Sequence, residues 1–505
     1  MFKNVGSNWL LMLATMASAY FLLPFTLHHL GNDQYGTWLL LTCFTGYLGL
    51  LVLGVPMASV RYITRDASLR DYPAMNKTIA TCAGMYLLIG LASLIIGLGL
   101  MVVFERAYAI PPGIQNAVRI SYLIVVSTTS VSFFAQLPHG IMASYHDFVG
   151  RNMVQTGSIL VRIVFTVTML RIYPSLMVLA FVQLIPVVIE SAIMWAIVSH
   201  RYPEVRLDLS LFDWKMMRTI FSFSIFVLIL NIGIQLSFQT DSLVIGKWLD
   251  VGQIPFYAVA NTIMVYAMQF VIGIAAVVMP MATRMHAQGQ HTELRKLFFK
   301  WSKIALSLTL FGSLFLIVFG PELIRSWIGS SFEKPAGIVL QVLMFSGLVF
   351  LPVRGVALPI LMGIGKPGKA TVAFLASGVL NLILSVILVR PLGLLGVAIG
   401  TAIPNVLFGI VLLVICAREL DFSILEYISR VVRLPLIGAL PLAAALLWCD
   451  CSLHLRGFPG LALAGLISSV VFALVWGCFV YRNDDDINIP EALSRLRSQV
   501  LAWQH

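Results

Sequence analysis

The sequence predicts an all-α, polytopic membrane protein. Of its 505 residues, 59% are hydrophobic and only 11% are charged, a balance that excludes a soluble globular domain. The hydrophobic residues form continuous runs of about 20 or more, the length that a helix needs to cross the hydrocarbon core of a bilayer. Membrane β-strands would instead alternate over about ten residues, so the runs are predicted to be transmembrane helices.

Fourteen such segments follow one another along the chain. They are predicted at 8–30, 36–60, 78–104, 117–143, 152–170, 175–199, 219–246, 255–281, 300–320, 337–362, 369–389, 393–416, 431–449 and 459–481. The connections between them are too short to hold a soluble catalytic domain, so the protein is not expected to be an enzyme.

The basic residues predict the orientation. There are 33 Lys and Arg against 22 Asp and Glu, which gives a net charge of +11. Lys and Arg are retained on the cytoplasmic side of a membrane, and most of them lie in the connections on the side that carries both termini. We therefore expect both termini in the cytoplasm. The same charge is expected to contact anionic lipid headgroups, and no nucleic-acid partner is expected.

The chain also repeats itself. Pro56–Arg61 (PMASVR) returns as Pro280–Arg284 (PMATR), and Ser210–Trp214 (SLFDW) returns as Ser423–Tyr427 (SILEY). The repeat predicts two pseudo-symmetric six-helix lobes and two C-terminal helices, with boundaries at 1–214 (N-lobe, helices 1–6), 215–428 (C-lobe, helices 7–12), 429–482 (helices 13 and 14) and 483–505 (cytoplasmic tail). Such halves are the usual build of an alternating-access transporter, which holds its substrate at the seam between them.

The opening segments contain Leu30-Gly31, Tyr35-Gly36 and Trp38, and the second span closes on Arg61-Tyr62. Together with the fourteen spans, the duplication and the turn Gly365-Lys366-Pro367, this pattern resembles the Wzx-type polysaccharide (O-antigen or exopolysaccharide repeat-unit) flippases. These belong to the multidrug/oligosaccharidyl-lipid/polysaccharide exporter superfamily.

The resemblance implies a lobed helical bundle around a central cavity. It implies movement of an undecaprenyl-diphosphate-linked oligosaccharide from the inner to the outer leaflet of the bacterial inner (cytoplasmic) membrane. A proton or sodium gradient is expected to drive transport, with no cofactor. The expected partners are the lipid-linked oligosaccharide, membrane lipids, and the polymerase and chain-length regulator of a polysaccharide pathway.

Two arginines are predicted to bind the diphosphate. Arg162 and Arg354 are the basic residues that fall deep within predicted spans, each roughly 12–15 Å from the cytoplasmic end at 1.5 Å per residue. A guanidinium matches phosphate oxygens well, and a charge at that depth is usually functional. Arg61 and Arg284, at the cytoplasmic ends of the second and eighth spans, are either an entry collar for the same diphosphate or anchors that obey the charge asymmetry.

Glu190 lies in the sixth span at about the depth of Arg162. The two side chains either pair structurally or take part in substrate binding and ion coupling, and a carboxylate that exchanges between Arg162 and a proton would serve both. Gln183 is seven residues before Glu190 and shares its helical face. We therefore predict ion coupling at Glu190 and a saccharide contact at Gln183.

The seventh span carries a second polar stripe. Asn231, Gln235 and Gln239 repeat at four-residue spacing, and Asp241 lies to one side. The stripe either bonds neighbouring helices or lines a cavity that contacts sugar hydroxyls, with Asp241 as a proton or sodium site.

In the fourth span, Gln136 and His139 lie three residues apart and are predicted to line the same cavity. A lone histidine in a helical bundle more often satisfies a neighbour than senses pH. The six cysteines show no metal-ligand spacing, and no metal site is expected.

Three alternative functions remain open from the sequence. A multidrug or cation exporter of the same superfamily would need carboxylates for its cargo, and a peptidoglycan lipid-precursor flippase would differ only in the details of its cavity. A membrane glycosyl polymerase or ligase is disfavoured by the short external loops.

Overall fold

A computed structural model describes residues 2–52, 54–111 and 113–482, and these ranges contain helices but no β-strand. The predicted tail at 483–505 lies outside the described residues. By Cα packing the chain divides into two compact units, the first reaching Pro255 and the second beginning at Phe256. The predicted lobe boundary at 214/215 is defined by the sequence repeat and not by packing. It therefore stays a prediction.

Among the described residues, the first unit contains eight α-helices. They are α1 (Phe2–Gly46), α2 (Val55–Ser68), α3 (Tyr72–Ala107), α4 (Gln115–Ser144), α5 (Phe148–Ile172), α6 (Leu176–Arg201), α7 (Trp214–Phe238) and α8 (Thr240–Trp248). Short 3₁₀ turns at Tyr47–Val52, Leu209–Leu211 and Val251–Gln253 join several of them.

The second unit continues with nine helices among the described residues. They are α9 (Ile254–Ile272), α10 (Ala275–Ala287), α11 (His291–Trp327), α12 (Ser330–Gly363), α13 (Gly368–Leu392), α14 (Leu394–Leu420), α15 (Ile424–Tyr427), α16 (Arg433–Cys451) and α17 (Gly457–Val475). Helix α9 begins two residues before the division between the units.

Twelve stretches of the described chain are helical, long and apolar enough to cross a membrane. The first stretch, Gly6–Ser68, contains the first two predicted spans. The seventh predicted span corresponds to α7 and α8. The prediction of an all-α polytopic membrane protein is confirmed.

The first two predicted spans are separated by a break at Gly31, which has φ 73° and ψ 173° within α1. A positive φ with an extended ψ is open to glycine but strained for other residues, because they carry a Cβ atom. Gly31 therefore marks the turn between the spans.

The connection after α6, residues 202–213, folds back along α3, and we name it the N-strap. Asn76 of α3 donates to the carbonyl of Glu204 (3.0 Å) and accepts from the amide of Arg206 (2.9 Å). Asp213 pairs with Lys77 at 2.6 Å, and its amide donates to Thr81 at 3.1 Å. The Lys77 ammonium and backbone amides hold the pKa of Asp213 below its usual value.

The second unit has an equivalent latch at Ser423–Tyr427, the sequence echo of Ser210–Trp214. Arg295 of α11 forms an ion pair with Glu426 and donates to the carbonyl of Asp421 (2.9 Å). Thr81 and Asp213 are 132 positions apart, and Arg295 and Glu426 are 131 apart. The sequence repeat is therefore matched by a repeated contact within each unit.

A substitution at Gly84 is expected to lift the N-strap from α3. A Cβ atom on Gly84 would lie 2.6 Å from Cδ2 of Phe212, closer than carbon atoms approach in proteins. We expect Gly84→Leu to destabilise the protein by about 1–3 kcal/mol through overpacking, measured as a lower unfolding temperature of the purified protein.

Gly99→Leu is the matched control, since it lies on the same helix and no atom of the described residues comes within 4 Å of the added Cβ. Equal unfolding temperatures for the two variants would show that the N-strap does not depend on this contact.

Candidate functional site

A polar cluster lies inside the first unit where α4, α5 and α6 meet. His139 of α4 and Glu190 of α6 are 3.1 Å apart, from Nε2 to Oε1, and both side chains are less than one-fifth exposed. Ser158 of α5 hydrogen bonds to the same carboxylate. Three helices therefore contribute one group each to a single ionisable site.

A cavity of about 200 Å³ opens at this pair. It is lined in part by Gln136 and Ser132 of α4, Gln155 of α5, and Ser191 of α6. The predicted residues Gln136, His139 and Glu190 are thus brought together. Amides, hydroxyls, an imidazole and a carboxylate in one small cavity can exchange hydrogen bonds with water or with sugar hydroxyls.

The sequence reasoning missed Gln155 and Ser158. They lie seven and four residues before Arg162 on α5, and that spacing places all three on one helical face. The spacing was a usable signal, because polar residues recurring on one face of a membrane helix usually face water, a ligand or another polar group.

Arg162 lies beside the cluster. The residue is exposed, and its guanidinium donates to the hydroxyl of Ser18 on α1 at 3.3 Å and is close enough to attract the charge of Glu190. Glu190 therefore interacts with both His139 and Arg162. Gln183, two helical turns before Glu190 on α6, is also exposed.

Arg354 of the second unit has a different environment. Its guanidinium lies 5.5 Å from the ring centre of Phe350 and 5.4 Å from that of Phe374, and it contacts the sulfur of Met268. The side chain is only partly exposed. The two arginines were predicted at equal depth, but Arg162 lies among polar groups whereas Arg354 stacks on aromatic rings.

Arg61 and Arg284 are both exposed. Arg61 lies in α2 with its guanidinium 5.9 Å from the ring centre of Tyr62, and Arg284 lies in the last turn of α10. Exposure suits both an entry collar and a headgroup anchor, so both roles stay predictions.

The seventh predicted span is not one continuous helix. Asn231 and Gln235 lie in α7, but the helix ends before Gln239, where φ is −115° and ψ is −23°. The carbonyl of Gln239 accepts a bond from the thiol of Cys43 at 2.7 Å. The amide of Gln239 still donates to the carbonyl of Gln235 at 3.0 Å, the bond expected in a helix, so the polar stripe of Asn231, Gln235 and Gln239 stays a prediction.

Asp241 lies just beyond this break, in the first turn of α8, and is only 2% exposed. Its charge acts on Cys43 and on Tyr47, whose hydroxyl hydrogen bonds with Thr240 at 2.7 Å. Asp241 is thus a buried carboxylate at the break between α7 and α8. Its predicted role in ion coupling stays a prediction.

The second unit contains a cavity of about 720 Å³ with an apolar lining. Aromatic residues from three helices contribute, namely Tyr266 and Phe270 of α9, Phe311 and Phe315 of α11, and Phe472 of α17. A cavity of this size and chemistry suits hydrocarbon better than a polar solute.

Bundles of transmembrane helices with a polar cluster at membrane depth are the architecture of multi-pass transporters. Solved structures share this fold. One is an inward-facing multidrug resistance MATE family transporter of the MOP superfamily. The match covers 81% of this chain and 94% of the transporter, with 17% identity and a TM-score of 0.70. Another is the Lipid II flippase MurJ in an inward closed conformation. The match covers 94% of this chain and 99% of MurJ, with 16% identity and a TM-score of 0.66.

The chain belongs to the polysaccharide biosynthesis protein family, whose model matches residues 1–286. It is 23% identical over 191 residues to the probable low-salt glycan biosynthesis flippase Agl15 of Haloferax volcanii, covering 38% of this chain and 40% of the relative. It is 24% identical over 212 residues to an uncharacterized membrane protein of Methanocaldococcus jannaschii, covering 41% of each. The chain thus matches about two-fifths of the length of these relatives.

Proposed function

We propose that this protein is a flippase for lipid-linked oligosaccharides. In this proposal it moves undecaprenyl-diphosphate-linked polysaccharide repeat units from the inner to the outer leaflet of the bacterial inner membrane by ion-coupled alternating access. Both termini are in the cytoplasm. The observation that carries the proposal is the exposed residue Arg162 beside the polar cavity at Glu190, within a protein of the polysaccharide biosynthesis family.

The substrate's two polar parts match this face of the first unit. The diphosphate is a compact anion that Arg162 can bind through parallel N–H donors. The saccharide carries hydroxyls that the amides of Gln136, Gln155 and Gln183 can bind as donors and acceptors. The apolar cavity of the second unit is consistent with a substrate that carries a long hydrocarbon chain.

The pair of His139 and Glu190 favours a proton as the coupling ion. An imidazole binds a proton near neutral pH, whereas sodium prefers oxygen ligands. A proton on Glu190 would weaken its attraction for Arg162 and leave that guanidinium available to a phosphate. Proton uptake and substrate capture would then be linked through one carboxylate. Asp241 remains a second candidate for ion coupling.

Two alternatives have structural support of their own. The fold is shared with multidrug transporters, and the buried carboxylate of Asp241 would suit a cationic cargo. The fold also matches a Lipid II flippase over 94% of this chain, which favours a peptidoglycan lipid-precursor as the second candidate substrate. The exposed Arg162 favours an anionic lipid over a cation.

Arg162→Ala is expected to abolish surface-polysaccharide display in a flippase-null strain that the wild type restores, at unchanged membrane abundance. The reason is the loss of the guanidinium that binds phosphate. Arg354→Ala is tested alongside it as the predicted second half of the diphosphate clamp. Arg171→Ala is the matched control, because Arg171 lies in the last turn of the same helix α5.

Full display by both Arg162→Ala and Arg354→Ala would contradict a diphosphate site at these residues. The site would then move to Arg61 and Arg284, or the exporter alternative would gain support. Restoration of growth in a strain depleted of its peptidoglycan-precursor flippase, without restored display, would favour the second candidate substrate.

A further inference from the structure

A small polar recess lies at one end of the first unit, where α3 ends and α4 begins. Its volume is about 300 Å³, at the small end of ligand pockets. Its lining consists of Glu105, Tyr108, Ala109, Ile110, Gln115 and Arg119. Four of these six residues carry polar side-chain groups. This recess is separate from the cavity at Glu190, and none of the roles proposed above uses it.

An ion pair with two hydrogen bonds, at the surface of the protein, forms one wall. Arg119 donates from Nε to Glu105 Oε1 at 2.6 Å and from Nη2 to Oε2 at 3.2 Å, so the two planar groups are joined by parallel bonds. A guanidinium has five N–H donors, and a carboxylate can accept about four bonds, so both retain capacity for a ligand. The pair has no net charge.

Tyr108 forms an aromatic part of the wall. Its ring packs against Phe104 at 5.4 Å and Phe44 at 6.2 Å between centres, which fixes its position. Burial raises the pKa of Tyr108 to about 12, so its hydroxyl stays neutral. Lys247 donates to the carbonyl of Ala107 at 2.6 Å, which holds the end of α3 in place.

We propose that this recess is a saccharide subsite that binds one neutral pyranose ring. Glu105 and Arg119 would take adjacent hydroxyls, with Gln115 as a further polar partner. The ring of Tyr108 would cover an apolar face of the sugar. Because the ion pair is neutral overall, the recess has no excess charge for phosphate or uronic acids.

The subsite rests on the proposed function, in which the substrate carries a glycan. With both termini in the cytoplasm, the connection between α3 and α4 lies on the outer side of the membrane. The subsite would then contact the glycan after its transfer and before its release. A single-ring site of this kind would favour some repeat units over others.

Saturation-transfer NMR on the full-length protein in lipid nanodiscs tests the subsite. The probes are methyl glucopyranoside, methyl galactopyranoside, methyl mannopyranoside and methyl glucuronide, and inorganic phosphate is added as a competitor. We expect saturation transfer to at least one neutral glycoside. Glu105→Gln and Arg119→Gln should each weaken its binding roughly tenfold, as expected for the loss of a charge-assisted hydrogen bond. Tyr108→Ala should reduce transfer to the ring C–H protons.

Glu293→Gln is the control, because Glu293 forms an exposed ion pair with Lys296 (2.9 Å) on α11. Its binding should equal that of the wild type. Unfolding temperatures of the three recess variants identify any that fail to fold. If only one of Glu105→Gln and Arg119→Gln folds, that variant alone still tests the subsite. The subsite is refuted if no neutral glycoside binds the wild type, if the variants bind as tightly as the control, or if phosphate displaces the glycoside.

The two proposals can fail separately. Isolated glycosides bind without transport, so this measurement does not depend on Arg162. If glycosides do not bind while display still requires Arg162, only the subsite falls. If glycosides bind as expected while Arg162→Ala and Arg354→Ala display normally, the predicted diphosphate site falls and the subsite stands.

Discussion

Gly36→Ala is expected to abolish accumulation of the folded protein. Gly36 of α1 packs against the 3₁₀ turn at Val251–Gln253, and a Cβ atom there would lie 1.9 Å from the carbonyl oxygen and 2.8 Å from the carbonyl carbon of Val251. Both are backbone atoms, which cannot rotate away as a side chain can. The substitution therefore forces α1 and the turn apart, and we expect a destabilisation at or above the upper end of the roughly 1–3 kcal/mol typical of overpacking.

The measurement is the amount of monodisperse protein in detergent extracts, followed by size-exclusion chromatography of a fluorescent fusion. Gly6→Ala is the control on the same helix, where no atom of the described residues comes within 4 Å of the added Cβ. Alanine favours helix over glycine by about 1 kcal/mol, so the control should accumulate at least as well as the wild type. Normal accumulation of Gly36→Ala would mean that this packing is not essential for folding.

Glu190→Gln is expected to stop coupled transport while leaving the protein in the membrane. The amide keeps the shape of the side chain and can still bond with Ser158 and His139, but it carries no charge and binds no proton. Under the proposed mechanism, the link between proton uptake and the availability of Arg162 is then lost. Display should fall to the level of the empty strain.

The pH response of transport distinguishes a loss of proton coupling in Glu190→Gln from a simple loss of substrate contact. Exposure of lipid-linked saccharide on the outer leaflet of spheroplasts is measured at acidic and alkaline external pH. The wild type should respond to pH and Glu190→Gln should not, whereas His139→Gln should transport with a reduced response. Glu333→Gln is the control, because Glu333 is partly exposed and its carboxylate lies 3.9 Å from the guanidinium of Arg325. Wild-type transport and pH response in Glu190→Gln would exclude this carboxylate from coupling.

The spans could be predicted from the sequence because the length of an apolar run is a local property. The end of α7 before Gln239 could not be predicted in this way, because the residues that contact the chain there are distant in sequence. Cys43 lies 196 positions from Gln239, whose carbonyl it contacts, and Tyr47 lies 193 positions from Thr240. Helical periodicity extrapolated through that point assigned Asp241 to a helix that is interrupted there.

The candidate site was predicted residue by residue but not as a cluster. Glu190 was identified by its depth beside Arg162, and His139 by its spacing of three residues from Gln136. Their pairing depends on how α4 and α6 are rotated about their own axes, which the sequence did not specify. For the same reason equal depth did not reveal that Arg354, unlike Arg162, lies against aromatic rings.

The N-strap bears on the order in which the protein is made. Its contacts join Asn76, Lys77 and Thr81 to residues between 204 and 213, all of which leave the ribosome before the second unit is translated. The contacts of the N-strap can therefore form during synthesis, before the second unit is complete. Arg295 and Glu426 repeat the arrangement in the second unit, so a duplicated membrane protein can be inserted and secured one half at a time.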